Sequence, residues 1–284
     1  MATTATAVST ERVTAERRYV RAFAGLFVRD LFVLRREFVP FLIRVCMNPL
    51  LFLFVFTVIM PHMGAGAAAM NPTASMAGGN FGTVLLPGLM AVAIMFSGIA
   101  AVALPLAQEF GITREIDDRV MCPLPVAAVA LEKIVFSALQ SMVAAAIVFP
   151  LAYYVPATPV IAHVSSWPFL IAVLVLASLT SGALGLVIGT SVKPQQIGLI
   201  FGVVVMPITF LGCVYYPWAA LTHMRWLQMG VLINPIVYMS EGLRGALTTG
   251  LPHMPEWLVL VMLCTFLCML TMLGIRGFLR RVIN

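Results

Sequence analysis

The sequence predicts an all-α polytopic membrane protein of six transmembrane helices, with an N-terminal amphipathic interfacial helix, a short charged cytoplasmic segment and an outer re-entrant hairpin. Three observations predict it. Apolar residues make up 61% of the 284 residues and charged residues only 10%, whereas a soluble domain carries about 25% charged residues. So few charges cannot clothe a water-facing surface, and lipid is the solvent that fits. The apolar residues also gather into six runs near the ~20 residues that cross a hydrocarbon core. Finally, the basic residues sit at the margins of those runs: seven of the 17 Lys/Arg are Arg12, Arg17, Arg18, Arg21, Arg29, Arg35 and Arg36, and three more, Arg276, Arg280 and Arg281, lie near the other end. A nucleic-acid binder would instead carry a basic face on a folded domain.

Residues 1–14 are Ala/Thr-rich and are expected to be disordered, with no cleavable leader among the first 40 residues. From there Val20, Phe23, Phe27, Leu31, Leu34 and Phe38 recur at spacings of three and four, opposite Arg18, Arg21, Arg29 and Arg36. An aromatic stripe facing an arginine stripe places this helix in the membrane interface, on lipid. Six spans follow at about 41–60, 84–107, 130–154, 168–191, 197–214 and 256–276. The small-xxx-small pairs Gly185/Gly189 and Gly198/Gly202 predict close packing between the fourth and fifth spans.

Loop charge gives the orientation. The 61–83 loop has no charge, and 155–167 carries only His163. With both termini on one side, 15 of the 17 Lys/Arg fall on that side or at its margin, leaving only Arg225 and Arg244 opposite. The positive-inside rule puts both termini in the cytoplasm. The Ala-rich composition points to a bacterial chain, hence to a plasma (inner) membrane.

Two connections stand apart. Gln108 to Pro125 gathers Glu109, Arg114, Glu115, Asp117, Asp118 and Arg119 in a chain almost free of charge. Residues 215–255, rich in Tyr, Trp, Pro and Leu but too interrupted to span, read as a hairpin buried against protein in the outer leaflet.

No G-x-x-x-x-G-K-[ST] loop is present and the only lysines are Lys133 and Lys193, so ATP, if used, is bound by another chain. Neither G-x-S-x-G nor H-E-x-x-H occurs. The span interiors offer almost no Asp, Glu or His, which disfavours a proton-driven carrier; Arg44 and Glu132 are read as snorkelling from the span ends. All five cysteines read as small buried residues, and Cys264/Cys268 lack the further ligands of a zinc site. Three of the four histidines precede Met (His62, His223, His253). That pairing suits copper(I), but coincidence in a Met-rich chain is the plainer reading, and no metal site is assigned. Two other classes stay open: a membrane-embedded enzyme or scaffold, for which only the charged loop with Cys122 offers a polar cluster, and a channel, for which no pore-lining polar stripe is evident.

The segment from Phe210 to Leu247, FLGCVYYPWAALTHMRWLQMGVLINPIVYMSEGLRGAL, resembles the signature of type-2 ATP-binding-cassette transporter permeases. It carries Gly212, Tyr216 and Pro217 at the end of the fifth span, then Asn234-Pro235, then Glu241 and Arg244. REIDDRVMCPLP resembles the family's Arg-Glu…Pro stretch after the second span, although Asp117 and Asp118 stand where Gly-Thr is common. The resemblance covers nearly the whole chain. It implies residues 1–40 as tail and interfacial helix, 41–276 as the transmembrane domain and 277–284 as a cytoplasmic tail. It also implies two permease copies, a homodimer being favoured, and two cytoplasmic ATPase subunits that hold ATP and Mg, this chain holding no cofactor. Export of drugs, lipids or polysaccharides is implied too.

Within that frame the charged loop becomes a coupling helix, with Glu109, Arg114, Glu115, Asp117, Asp118 and Arg119 setting its register on the ATPase. Glu241 and Arg244, an i,i+3 pair, would neutralise each other in a partly desolvated hairpin. Tyr215, Tyr216, Pro217, Asn234 and Pro235 would shape that hairpin or gate; Tyr215, Tyr216, Trp218 and Trp226 would line an exit or, the plainer reading, serve as interfacial anchors. The apolar first, second and fifth spans would line a path for hydrophobic or amphiphilic cargo, with Met95, Phe96, Met206 and Phe210 as contacts.

Overall fold

The computed structural model describes residues 2–55, 59, 81–110, 125–154, 163–248 and 250–283, and side chains only from Tyr19 onward. Arg114, Glu115, Asp117, Asp118, Arg119, Cys122 and His62 lie outside the described residues, as do most of the two uncharged loops.

Among the described residues the chain is helical, without strands. Helices α1 (Ala2–Arg36) and α2 (Phe38–Phe54) precede α3 (Phe81–Gln108), α4 (Val126–Tyr154) and α5 (Trp167–Ser191). A short broken helix, α6 (Ile197–Phe210), follows, then the small α7 (Arg225–Gly230), α8 (Pro235–Leu247) and α9 (Glu256–Ile283). Four helices, α3, α4, α5 and α9, are long and apolar enough to cross a membrane. α2 and α6, at the predicted first and fifth spans, are shorter apolar helices. The predicted disorder of 1–14 is replaced by helix from Ala2.

α3 is the centre of the bundle. In its most apolar stretch 78% of residues are buried against 22% in α9, so α3 is walled by protein and α9 keeps a broad face for lipid. α3 packs on α4, α5 and α8, and α9 lies along α5. Hydrophobicity gives no reason for helices to associate in lipid, so close backbone approach has to. A Cβ on Gly98 would fall 2.0 Å from Ser181 Oγ, one on Gly182 2.0 Å from Ser137 Oγ, and one on Gly185 2.9 Å from Ile99 Cα. Ser137, Ser141 and Ser181 donate to carbonyls three or four residues back, so their hydroxyls are satisfied without water.

This geometry corrects several expectations. Gly185 and Gly189 meet α3, not the fifth span, and Gly198 and Gly202 face open space. Cys264 and Cys268 are exposed on α9, Cys46 is half-buried and Cys213 is buried, so the cysteines are not uniformly interior. Glu132 is fully buried rather than snorkelling. Part of the α1 stripe packs on protein: Leu26 is buried, and Phe27 meets Phe136 of α4 edge-on at 5.8 Å. Val20, Leu31 and Phe38 stay exposed. The fifth span is not a continuous 197–214 helix. It carries a wide turn at Phe201–Val205 before Pro207, and ends at Phe210.

Candidate functional site

Polar chemistry concentrates at the two ends of the bundle. At the end where α3 begins, every residue of α8 is buried. Asn234 starts this helix: its side-chain oxygen accepts from Ile236 N at 3.1 Å, its amide donates to Ile208 O, and Pro235 occupies the first helical position, where no N–H is needed. Two turns on, Glu241 and Arg244 face each other as the i,i+3 spacing requires, both side chains wholly buried and joined by an ion pair.

The surroundings explain how two charges survive there. Glu241 Oε1 also accepts from Trp218 N at 2.9 Å, and Oε2 from Met254 N at 3.1 Å. Arg244 Nη2 donates to Cys213 O at 3.1 Å, and Ser240 Oγ to Gly212 O at 2.8 Å. One carboxylate thus ties α8 to the segment after α6 and to the entry of α9. Cys213 sits at φ 51°, a left-handed conformation uncommon for a side-chain-bearing residue, which fits a chain bent to aim its carbonyl at Arg244. The bend is seated on α3, where a Cβ on Gly88 would lie 1.9 Å from Val214 O. The charges are therefore structurally satisfied, with Arg244 Nε alone lacking a partner among the described residues.

At the opposite end, α3 and α4 flank residues 111–124. Lys133 Nζ donates to Glu109 Oε1 at 2.9 Å, and both side chains are buried. This bridge pins the two roots of the connection together. Arg281 of α9 donates through Nη1 to the carbonyls of Gly189, Thr190 and Val192 at 3.0, 3.2 and 2.8 Å. These are acceptors at the end of α5, where a cation also complements the helix dipole. The same guanidinium lies 4.7 Å from the centroid of Phe110, the residue after Glu109. α9, α5 and the root of the 111–124 connection therefore share one cation.

A cavity of about 270 Å³ lies between α2, α3, α4 and α6, and one of about 400 Å³ between α1, α2, α3 and α4. They share Phe41, Arg44, Ala100, Leu104 and Gln140 as walls. The smaller is mostly apolar; the larger opens among the charged ends of α1, α3 and α4.

Of the predicted cargo contacts, Phe96 lines the smaller cavity, Met95 is fully buried in the core, and Met206 and Phe210 are exposed on α6. Of the hairpin residues, Pro217 is buried and Tyr215 and Tyr216 half-buried, with the Tyr215 ring tilted against Phe210 at a centroid distance of 6.1 Å. Trp218 donates Nε1 to Gln228 O, while Trp226 is exposed. The His253 ring meets the Met254 carbonyl at 2.9 Å, and no cluster of three metal-ligating residues occurs among the described residues. Sequence reasoning missed Lys133, Arg281 and Cys213. Lys133 had one usable signal, being one of only two lysines in the chain.

A family model described as ABC-2 type transporter matches residues 22–248, which takes in α2 to α8. No curated protein and no solved structure matches the chain.

Proposed function

Since the chain belongs to the ABC-2 type transporter family and is a multi-pass membrane protein, we propose that it is the membrane-spanning permease of an ATP-driven exporter. It moves a hydrophobic or amphiphilic cargo, such as a drug, lipid or glycolipid/polysaccharide, out of the cytoplasm by alternating access. Two copies pair, and two separate ATPase subunits bind ATP and Mg. In this reading α2 and α6 complete six spans in a bacterial inner membrane, with both termini cytoplasmic, the 111–124 connection at the cytoplasmic face and the Glu241–Arg244 knot at the outer end.

The family match over residues 22–248 carries the reading. The geometry gives it a mechanism. A push on the 111–124 segment would reach α3 and α4 together, because Glu109 and Lys133 bridge their ends. It would reach α5 and α9 through Phe110 and Arg281. At the outer end the buried knot holds α8 and its neighbours as one body, so displacement is transmitted rather than absorbed. Of the four cargo contacts read from the sequence, Met95, Phe96, Met206 and Phe210, Met95 is buried in the core, and the other three are the side chains proposed along the path.

Neutralising Arg114, Glu115, Asp117, Asp118 and Arg119 together tests the mechanism. The expected result is loss of ATPase association and of ATP-dependent transport in a protein that still inserts. Unchanged association and transport would remove the coupling role of this segment.

A further inference from the structure

The two joined cavities, whose Phe96 also stands on the proposed cargo path, carry a charge pattern that the transport mechanism does not use. Arg44, at their junction, and Glu37, at the wall of the larger, are both exposed and have no ion partner among the described residues. Glu37 immediately precedes α2 and Arg44 lies seven residues on, about two helical turns, so their charges look into one vestibule. The other charges facing it do not supply the missing partners: Lys133 is bound to Glu109, and Arg29 and Asp30 are already engaged. Deeper in, Ser97 is 6% exposed, lines the apolar cavity, and has a hydroxyl without a hydrogen-bond partner among the described residues. A ligand acceptor would satisfy that buried hydroxyl, which is costly to leave unmet.

We propose that this crevice binds a phospholipid of the surrounding bilayer whose headgroup is zwitterionic with a primary ammonium. The charge pattern selects a zwitterion, and Glu37, a hydrogen-bond acceptor, selects an ammonium that carries N–H over a quaternary one. An exposed anion and an exposed cation lining one crevice, about two helical turns apart, match an ammonium and a phosphate reached by their long side chains, whereas an anionic lipid would leave Glu37 unmatched and repelled. Arg44 takes the phosphate through its planar fork, Glu37 accepts from the ammonium, and Ser97 donates to an acyl ester oxygen. The tail follows Phe41, Val45 and Phe96 into the smaller cavity. A second copy of the chain would find a different face of α2, since Val39, Ile43, Met47 and Leu51 point outward. Because Phe96 belongs to the proposed cargo path as well, the crevice is read as holding a resident lipid, retained without any ATPase.

The test is lipid retention by the full-length protein in mild detergent, read by native mass spectrometry after exposure to phosphatidylethanolamine, phosphatidylcholine or phosphatidylglycerol. Selective retention of phosphatidylethanolamine is expected. Arg44→Gln should weaken it about tenfold, equivalent to about 1.4 kcal/mol. Glu37→Gln should abolish the preference over phosphatidylglycerol while leaving some binding, and Ser97→Ala should weaken retention by a smaller factor. Both charged side chains lack an ion partner, so their replacement should leave the melting temperature unchanged. Equal retention of the three lipids by the unaltered protein, or full retention by the variant carrying both Arg44→Gln and Glu37→Gln, would mean belt lipid only and would overturn the site. The comparison among lipids on the unaltered protein needs no variant to fold.

Discussion

Replacing Glu241 by Leu should damage this protein more than replacing Arg244 by Met, although both break the same ion pair. Glu241→Leu strands the Arg244 guanidinium in a site with no solvent and also frees Trp218 N and Met254 N, held at 2.9 and 3.1 Å. Arg244→Met removes the cation but leaves the carboxylate its two backbone donors, and it frees only Cys213 O. Breaking a buried pair by deleting one partner costs about 3–5 kcal/mol. At about 2–3 °C per kcal/mol for a chain of this size, Glu241→Leu should lower the Tm in detergent by roughly 6–15 °C. Combining Glu241→Leu with Arg244→Met should regain part of the loss, because no lone charge remains. The assay is thermal unfolding followed by intrinsic fluorescence or by loss of monodisperse protein, across a complete double-mutant cycle. A Tm within about 2 °C of the native value for Glu241→Leu, or a larger loss for Arg244→Met, would show that the charges are held in some other way.

Three further outcomes are expected. Gly88→Ala should prevent the Val214 carbonyl from seating on α3, since the new Cβ would stand 1.9 Å from it; a loss of about 1–3 kcal/mol should accompany maleimide labelling of Cys213, which is otherwise buried. Arg281→Ala should raise hydrogen exchange at the end of α5 and around Phe110, and Arg281→Lys should restore it only in part, because an ammonium on a shorter side chain lacks the guanidinium plane that lies over Phe110 while Nη1 holds the carbonyls; exchange identical to the native protein in both variants would count against the shared anchor. Lys133→Met should destabilise the protein by about 3–5 kcal/mol, and adding Glu109→Gln should recover much of it; equal losses for the single and double variants would show that the pair is not coupled.

Hydropathy made α3, α4, α5 and α9 legible, because each buries or presents a whole apolar run. Their ends extend beyond the expected limits where charges are accommodated instead of excluded. Glu109 at the end of α3 is held by Lys133, and Arg281 in the last turn of α9 by the α5 carbonyls. The break in α6 was not legible: only Pro207 marks it, and a wide turn such as Phe201–Val205 has no residue signature. Spacing made the Glu241–Arg244 contact legible, since residues three apart on a helix must meet. Its completion was not, because Trp218 and Met254 lie 23 and 13 residues away and contribute only backbone N–H groups. Arg281 was invisible for the same reason, with partners 89 to 92 residues distant. The glycine pairs show the limit of motif reading. Gly185 and Gly189 do mark close approach, but the facing helix is set by the whole bundle, and it is α3.

If this chain is a permease moved by an ATPase it does not contain, that ATPase should travel with it. Affinity purification of the tagged protein in mild detergent, with mass identification of what accompanies it, is the decisive measurement. A stoichiometric soluble partner bearing a nucleotide-binding loop is expected, released when the charges of residues 114–119 are neutralised. A folded, monodisperse protein that brings down no ATPase would mean that the chain is not such a permease.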